Sequence, residues 1–166
     1  MDEDEVDRLT AAWQRERPDL DLGPLQVLSR VTRVAKSLDV ARRSAFSAHD
    51  LEPSEFDVLA ALRRAGSPYA LSPGQLSVQT LVTSGTMTNR IDRLEQRGLV
   101  QRTADPQDRR GVRVILTDAG RSAVDDALID LVARERQILA ALDDSDREHL
   151  AALLRTLSDG FDGQPK

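Results

Sequence analysis

The sequence predicts a mainly α-helical fold that contains one small β-hairpin. Apolar residues recur every three or four positions along most of the 166 residues, which is the period of an amphipathic helix. The period changes to two in one short region after Gly98, as is typical of strands. The length corresponds to about one domain, so we expect residues 1–166 to form a single domain.

A short helix and a long helix are predicted at the N-terminal end. The short helix lies within residues 1–22, carries Trp13 on its apolar stripe and ends before Pro18. The long helix covers residues 23–48 and begins at Pro24, because proline suits the first turn of a helix. It is longer than most helices of compact domains, so we expect its apolar stripe to need a partner surface.

Three further helices are predicted in the next part of the chain. They begin at Pro53, at the capping box that starts with Ser72, and at about Ser84, and the last of them ends at Arg97. The apolar stripe of this last helix consists of Met87, Ile91 and Leu94. Its other side presents Thr86, Asn89, Arg90, Arg93 and Arg97. One side is therefore suited to packing on a core and the other to polar contacts.

A hairpin and two more helices complete the prediction. Residues 99–103 and 112–116 have the pattern of two strands, and the turn-rich loop between them has Arg109 and Arg110 at its tip. Thr117 caps a second long helix, which extends as far as Leu142. A capping box that begins at Ser145 starts the last helix.

The charge of the chain is distributed unevenly. The formal net charge is −5, which by itself argues against a nucleic-acid partner. Residues 84–113, however, carry seven arginines and only four acidic residues, whereas residues 1–23 carry eight acidic residues and three arginines. A basic middle third between acidic flanks is compatible with DNA binding.

The composition argues against several classes of function. The absence of cysteine rules out disulfides, thiolate catalysis and cysteine-bound zinc, and the two histidines, His49 and His149, are too few for a histidine-rich metal site. No stretch approaches the roughly 20 apolar residues of a membrane span, and the acidic start has the wrong sign for a secretory signal. No nucleophile, phosphate-loop or zinc-protease motif is present. We therefore expect a cytoplasmic protein that is not an enzyme and needs no metal or cofactor.

The order of elements between residues 51 and 116 is that of a winged helix-turn-helix. A major groove admits one helix, so a helix that is apolar on one side and polar on the other can dock on its own core and face base edges. An arginine at the tip of a hairpin, such as Arg109 or Arg110, can enter a minor groove. The predicted partner is double-stranded DNA.

Four motifs in and beside this region resemble those of the multiple antibiotic resistance regulator (MarR) family. They are SGTMTNRIDRLE at 84–95, RGLV at 97–100, DPQDRR at 105–110 and LTDAG at 116–120. The resemblance implies a homodimer held by helices within 23–48 and 117–162, with the winged helix-turn-helix of 51–116 binding an operator. It also implies that Asp108 orients Arg110 toward the minor groove. The implied DNA contacts are Ser84, Thr86, Thr88, Asn89, Arg93, Arg97, Asp108, Arg109 and Arg110.

A narrower resemblance concerns a ligand. The first helix, the link that follows it and residues 51–59 are similar to the urate-responsive (HucR- and PecS-like) subgroup of that family. The implied urate-binding residues are Trp13, Asp57, Arg90 and Arg102. Urate is a planar monoanion rich in N–H groups, so a tryptophan can stack on it, an aspartate can accept its hydrogen bonds and an arginine can offset its charge. The expected function is that of a repressor released from a pseudo-palindromic operator by urate.

Other interpretations of the same residues stay open. Trp13 also suits plain core packing, Asp57 also suits the positive end of a helix, and Arg90 and Arg102 also suit surface ion pairs or phosphate contacts. The same DNA-binding fold can respond to another anionic or phenolic ligand, or to none and act architecturally. A helical protein-interaction module is a further alternative, although it leaves the basic hairpin tip without a purpose.

Overall fold

The computed structural model describes residues 3–106 and 111–162 and confirms a mainly α-helical fold with a small sheet. The helices of these ranges are α1 (Glu5–Glu16), α2 (Gly23–Ser47), α3 (Pro53–Arg64), α4 (Pro73–Thr80), α5 (Ser84–Gln96), α6 (Asp118–Ile138) and α7 (Asp144–Asp162). The strands are β1 (Ala70–Leu71), β2 (Val100–Ala104) and β3 (Val112–Leu116). Asp108, Arg109 and Arg110, from the predicted hairpin tip, lie outside the described residues.

The main core lies where α3, α4 and α5 pack on one another and on the sheet. The three apolar residues predicted for the inner face of α5, Met87, Ile91 and Leu94, are all buried. The end of α2 joins the same core through Phe46, whose ring stacks on that of Phe56 with 4.1 Å between centroids. Each fully buried side chain of this size contributes roughly 1.5–3 kcal/mol, so the position of α5 on the core is well determined.

The sheet has one strand more than the sequence predicts. β3 is its central strand, with β1 on one side and β2 on the other, and all pairs are antiparallel. β2 and β3 form the predicted hairpin, in a register that places Val100 opposite Leu116. β1 places Ala70 opposite Ile115 on the other edge. A strand of two residues is too short to display an alternating pattern, so the sequence does not reveal β1.

The helix boundaries predicted around α4 and α5 are confirmed by their hydrogen bonds. The backbone N–H of Gln75 donates to Ser72 Oγ at 3.2 Å, and the backbone N–H of Ser72 donates to Gln75 Oε1 at 2.9 Å. Both bonds of the predicted capping box are therefore made. After α5, Gly98 has a φ of 70°, which is the left-handed conformation expected just beyond a helix end.

The predicted capping box at Ser145 is wrong. α7 begins at Asp144, and the carboxylate of Asp143 accepts a hydrogen bond from the Asp146 N–H at 2.8 Å. The positive end of the helix dipole favours a carboxylate at this position, and Asp143 comes two residues before the serine. Leu142 also lies beyond the end of α6 rather than on it.

The start of α6 is tied closely to β2 and the hairpin. The Thr117 hydroxyl donates to the carbonyl oxygens of Gly98 and Leu99 at 2.8 and 3.0 Å. A Cβ atom on Gly120 would lie 2.0 Å from the carbonyl oxygen of Leu99 and 2.9 Å from a methyl group of Leu116. Only glycine therefore permits this approach of helix to strand.

Large apolar side chains are exposed along the helices that flank the core. On α1, α2, α6 and α7 they include Leu9, Trp13, Leu25, Leu28, Val31, Val34, Leu128, Ile129, Leu150, Leu153, Leu154, Leu157 and Phe161. Apart from Arg147, every residue from 144 to 161 on α7 is exposed. None of the helices in the described ranges has the length and apolarity that a bilayer crossing requires.

Candidate nucleic-acid interface and effector pocket

The outer side of α5 is polar and open to solvent, as a helix that reads DNA requires. The exposed residues among the predicted contacts of this helix are Ser84, Thr86, Thr88, Asn89, Arg93 and Arg97. The hydroxyl of Thr86 lies 3.0 Å from that of Thr83, which caps the helix. The Thr88 hydroxyl donates to the carbonyl oxygen of Ser84 at 3.0 Å. Asn89 is exposed on the same side and can therefore face base edges.

Arg97 is held by two carboxylates from α3 and the turn before it. Its Nη1 lies 2.7 Å from Glu55 Oε2, and its Nη2 lies 2.9 Å from Asp50 Oδ2 and 2.5 Å from the Asp50 carbonyl oxygen. The Glu55 side chain is only 7% exposed, so Arg97 supplies the charge that a buried carboxylate needs. This ion pair ties the end of α5 to the first turn of α3.

Arg93 has a much freer environment. Its Nη1 lies 3.7 Å from Glu52 Oε2, and both side chains are about two-thirds exposed. An exposed pair at this distance contributes about 0–1 kcal/mol. A DNA phosphate can therefore take the place of Glu52 at little cost to the fold.

Arg102, a predicted urate contact on β2, is also held by ion pairs. Its guanidinium bonds to the carboxylates of Asp92 and Glu95, and its backbone N–H donates to Glu95 Oε1 at 3.0 Å. Partial burial lowers the pKa of Arg102, but the bonds to Asp92 and Glu95 outweigh this and raise the pKa above its ordinary value. These contacts fasten the wing to α5.

Arg90 and Arg102 lie on opposite sides of α5. Residues two apart on a helix point about 200° away from each other, and Asp92, which binds Arg102, is two residues after Arg90. Arg90 instead lines a groove between α3 and α5 together with Ser54, Thr86, Asn89 and Arg93. Within the described ranges Arg90 forms no ion pair.

Asp57 lies on the same side of α3 as this groove, because it follows Ser54 by one helical turn. Its Oδ1 lies 4.0 Å from Nη2 of Arg42, a residue of α2. The Arg42 guanidinium also sits 5.6 Å from the ring centroid of Phe46, in a cation–π contact. Arg42 is not among the residues predicted for the pocket. Its spacing of four from Phe46 on one helix is the only signal in the sequence that points to it.

α1, which carries Trp13, packs on the first half of α2, whereas Asp57 meets α2 near its end. α1 contacts α2 through Asp7 and Arg30 at 2.7 Å and through Glu5 and Arg33 at 2.7 Å. Arg42 is at least nine residues further along α2, which is about 14 Å at 1.5 Å per residue. The Trp13 side chain is half exposed and lies in a shallow groove lined by residues of α1 alone.

The four predicted urate contacts are therefore not gathered into one pocket of the described structure. Arg90 lines a groove with Ser54, one helical turn before Asp57, whereas Arg102 is bound on the other side of α5 and Trp13 lies on α1. Where the two strands of the wing lead into the tip, Arg113 pairs with Asp105 at 3.1 Å. The predicted tip residues Asp108, Arg109 and Arg110 are outside the described part of the chain. No group of three or more acidic or histidine side chains that suits a metal ion occurs in that part.

The sequence of this chain is similar to those of known transcriptional regulators. A family model described as the MarR family matches residues 49–111. The HTH-type transcriptional regulator PecS of Dickeya dadantii is 41% identical over 150 residues, which cover 90% of this chain and 90% of that protein.

Two solved structures of this fold have related sequences. A mutant of MarR from E. coli in complex with operator DNA has a TM-score of 0.67 and 25% identity, over 87% of this chain and 96% of that one. Bordetella bronchiseptica BpsR, whose DNA binding is regulated by 6-hydroxynicotinic acid, has a TM-score of 0.67 and 28% identity, over 80% of this chain and 93% of that one.

Proposed function

The chain belongs to the MarR family of ligand-responsive, DNA-binding transcriptional regulators, and we propose that it is a cytoplasmic homodimeric repressor released from its operator by urate. Its relatives are regulators, and the chain is not an enzyme. The observation that carries the effector proposal is that Arg90 shares a groove between α3 and α5 with Ser54, which lies one helical turn before Asp57. An acceptor for N–H groups and a guanidinium that pairs with no described carboxylate are thereby available beside the helix that reads DNA.

In the proposed DNA complex, α5 enters the major groove and the wing reaches the minor groove. The exposed residues of α5 supply the base and phosphate contacts, and Asp108, Arg109 and Arg110 of the wing supply the minor-groove contacts. A homodimer would present two copies of α5 to two half-sites about one helical turn of DNA apart. This requires a pseudo-palindromic operator.

The exposed apolar helices support the homodimer. α7 carries Leu150, Leu153, Leu157 and Phe161 on its surface and hardly touches the rest of its protomer. Most of the stability of helices in proteins comes from packing of an apolar face, so α7 needs a surface to cover its own. A second copy of the chain would cover these residues, together with the exposed stripes of α1 and α2.

The homodimer can be tested by the mass of the protein in solution. We expect a dimer by light scattering, and Leu153→Asp should give monomer or unfolded chain because it puts a charge into the apolar contact. Val78→Asp is the matched control, since Val78 is 75% exposed on α4, away from the flanking helices. A wild-type monomer at micromolar concentration would refute this part of the proposal.

In the proposed complex with urate, Asp57 accepts N–H groups and Arg90 offsets the negative charge. Trp13 would stack on the ring from the partner subunit, because α1 packs on the first half of α2 and Asp57 meets α2 near its end. Arg102 can take part only by leaving Asp92 and Glu95. Recruitment of Arg90 by the ligand would withdraw it from the reading surface of α5, and linkage then requires urate and DNA to weaken each other's binding.

A second candidate effector is a small aromatic acid other than urate. BpsR, at 28% identity, is regulated by 6-hydroxynicotinic acid, which is also a planar anion. An acceptor beside a cation, as in Asp57 and Arg90, would suit such a molecule as well.

The deciding experiment is a gel-shift titration on the DNA upstream of the gene, with and without urate. We expect retardation of this DNA and its release by urate. Thermal unfolding should be measured in parallel with urate, xanthine, adenine, salicylate and 6-hydroxynicotinic acid, because a ligand at about 100 times its Kd stabilises the folded state by roughly 2.7 kcal/mol. Stabilisation by 6-hydroxynicotinic acid or salicylate but not by urate would mean that the effector is an aromatic acid other than urate. Retardation that no ligand reverses would favour architectural DNA binding.

A further inference from the structure

We propose that Arg42 of α2, rather than Arg102 of β2, is the arginine that joins Arg90 in holding the charge of the effector anion. The proposal concerns the effector pocket and so rests on the proposed function. It changes the residue set that the sequence predicts, and it brings the long helix α2 into the pocket.

Arg102 is poorly suited to receive an anion. It is already bonded to two carboxylates, Asp92 and Glu95, so this cluster of three groups carries a net charge of −1. To reach the groove that holds Arg90, Arg102 would have to abandon both carboxylates and pass to the other side of α5. A charge-assisted hydrogen bond is worth about 1.5–3 kcal/mol, and such a move would break two.

Arg42 is well suited to the same task. Its ion pair with Asp57 is the longest among the described residues, at 4.0 Å, and the two side chains are 37% and 47% exposed. The contact between its guanidinium and Phe46 keeps the side chain at the junction of α2 and α3. A planar anion with an edge of oxygen atoms can accept hydrogen bonds from two N–H groups of Arg42 at once. Asp57 makes only one contact with Arg42, at 4.0 Å.

The binding step that follows is an exchange of partners. The anion accepts hydrogen bonds from Arg42, and Asp57 is released from Arg42 to accept N–H groups of the ligand. Because Asp57 is on α3 and Arg42 is on α2, the ligand replaces the ion pair between these helices, while the stacked rings of Phe46 and Phe56 keep them in contact. α3 in turn holds α5 through Glu55 and Arg97, at 2.7 Å. A displacement of α3 is therefore passed to the helix that reads DNA.

The test compares Arg42→Gln and Arg42→Lys with Arg43→Gln in the full-length protein, with urate as the probe. Arg43 is the matched control, because it is the next residue of α2 and pairs with Asp39 on the exposed side of the helix. Urate binding is measured by calorimetry, and operator binding without urate is measured by gel shift to verify that each variant folds. Loss of one charge-assisted interaction should weaken urate binding roughly 10- to 100-fold in Arg42→Gln. Arg42→Lys should recover part of the loss, and Arg43→Gln should match wild type.

A fourth variant, Asp92→Asn, distinguishes Arg42 from Arg102. It weakens the hold on Arg102 and should leave urate affinity unchanged. Tighter urate binding in Asp92→Asn, or wild-type binding in Arg42→Gln, would overturn the proposal while leaving a urate-responsive repressor intact. Absence of urate binding to the wild-type protein would instead refute the proposed function, and the role of Arg42 with it.

Discussion

Replacement of Arg97 by alanine should destabilise the fold, whereas replacement of Arg93 by alanine should weaken DNA binding. Arg93 lies on the polar side of α5, and Arg97, four residues later, is the C-cap residue of the same helix. Arg97→Ala removes the partner of Glu55, whose side chain is 7% exposed. Arg93→Ala removes only an interaction of 3.7 Å with Glu52, at a site open to water. Each variant is therefore the control for the other.

The size of the stability effect follows from the burial of the two charges. Loss of one member of a fully buried ion pair destabilises a protein by roughly 3–5 kcal/mol. The side chain of Arg97 is 32% exposed, so water takes part in its solvation. In the variant, Glu55 also keeps a hydrogen bond from the Glu52 N–H at 3.0 Å. We therefore expect Arg97→Ala to lower the free energy of unfolding by about 2–3 kcal/mol and the Tm by about 5–10 °C. The exposed pair of Arg93 contributes about 0–1 kcal/mol, so Arg93→Ala should change the Tm by no more than about 4 °C.

Two assays separate the roles. Urea unfolding followed by circular dichroism gives the stability of each variant. Gel shifts over a series of salt concentrations give the slope of the logarithm of operator affinity against the logarithm of salt, and removal of one DNA phosphate interaction decreases this slope by about 1. Arg93→Ala should show the smaller slope at wild-type stability. If Arg97→Ala has wild-type stability and shows the same decrease in slope, then Arg97 binds a DNA phosphate and the reasoning from its burial is wrong.

Three further predictions concern the wing, the acidic end of α1 and the DNA complex. Gly120→Ala should destabilise the protein by at least about 1–3 kcal/mol in urea unfolding, since the added Cβ would lie 2.0 Å from the Leu99 carbonyl oxygen. Wild-type stability of this variant would mean that α6 can move away from the start of β2 at no cost. The pKa of Asp4 is lowered chiefly by a hydrogen bond from the backbone N–H of Asp7 and further by Arg30. The stabilisation that ionised Asp4 gives to α1 is therefore complete above the ordinary aspartate pKa, and it is lost below about pH 4. α1 should then be held less firmly on α2, seen as a fall in the fluorescence anisotropy of the single tryptophan, and Asp4→Asn should show a smaller fall because it has already lost the charge of Asp4. Operator affinity should fall steeply with salt in filter-binding assays, because binding to DNA phosphates releases counterions; a flat salt response would argue against phosphate binding by the basic middle third.

The elements of the fold could be predicted where the sequence carries a local signal. Pro53 and the capping box at Ser72 mark helix starts by their own chemistry, and the period of Met87, Ile91 and Leu94 marks the buried side of α5. β1 could not be predicted because its two residues owe their strand geometry to β3 rather than to their own pattern. The start of α7 differs from the predicted one because Asp143 and Ser145 both suit an N-cap, and only the hydrogen bonds distinguish them.

The partners of the site residues could not be predicted, because they come from distant parts of the chain. Arg97 and Glu55 are 42 positions apart, and nothing in either residue's neighbourhood indicates the other. A pattern of arginines on a helix predicts a basic surface, but it does not tell which of them carboxylates of the same chain will neutralise. The position of Arg42 is unpredictable for the same reason, since its relation to Asp57 depends on how α2 crosses α3.

The two faces of α3 suggest which way a ligand signal would travel. Glu55 and Asp57 are two residues apart and point to different neighbours: Glu55 to Arg97 of α5, and Asp57 to Arg42 of α2. The first pair is buried and short, whereas the second is exposed and long. A ligand that disturbs the junction therefore breaks the pair of Asp57 and Arg42 more readily than the pair of Glu55 and Arg97, and the stacked rings of Phe46 and Phe56 remain as the contact about which α3 can turn on α2. We expect α3 and α5 to move as one body on effector binding, so that the DNA-reading helix changes its position relative to α2 rather than its own shape.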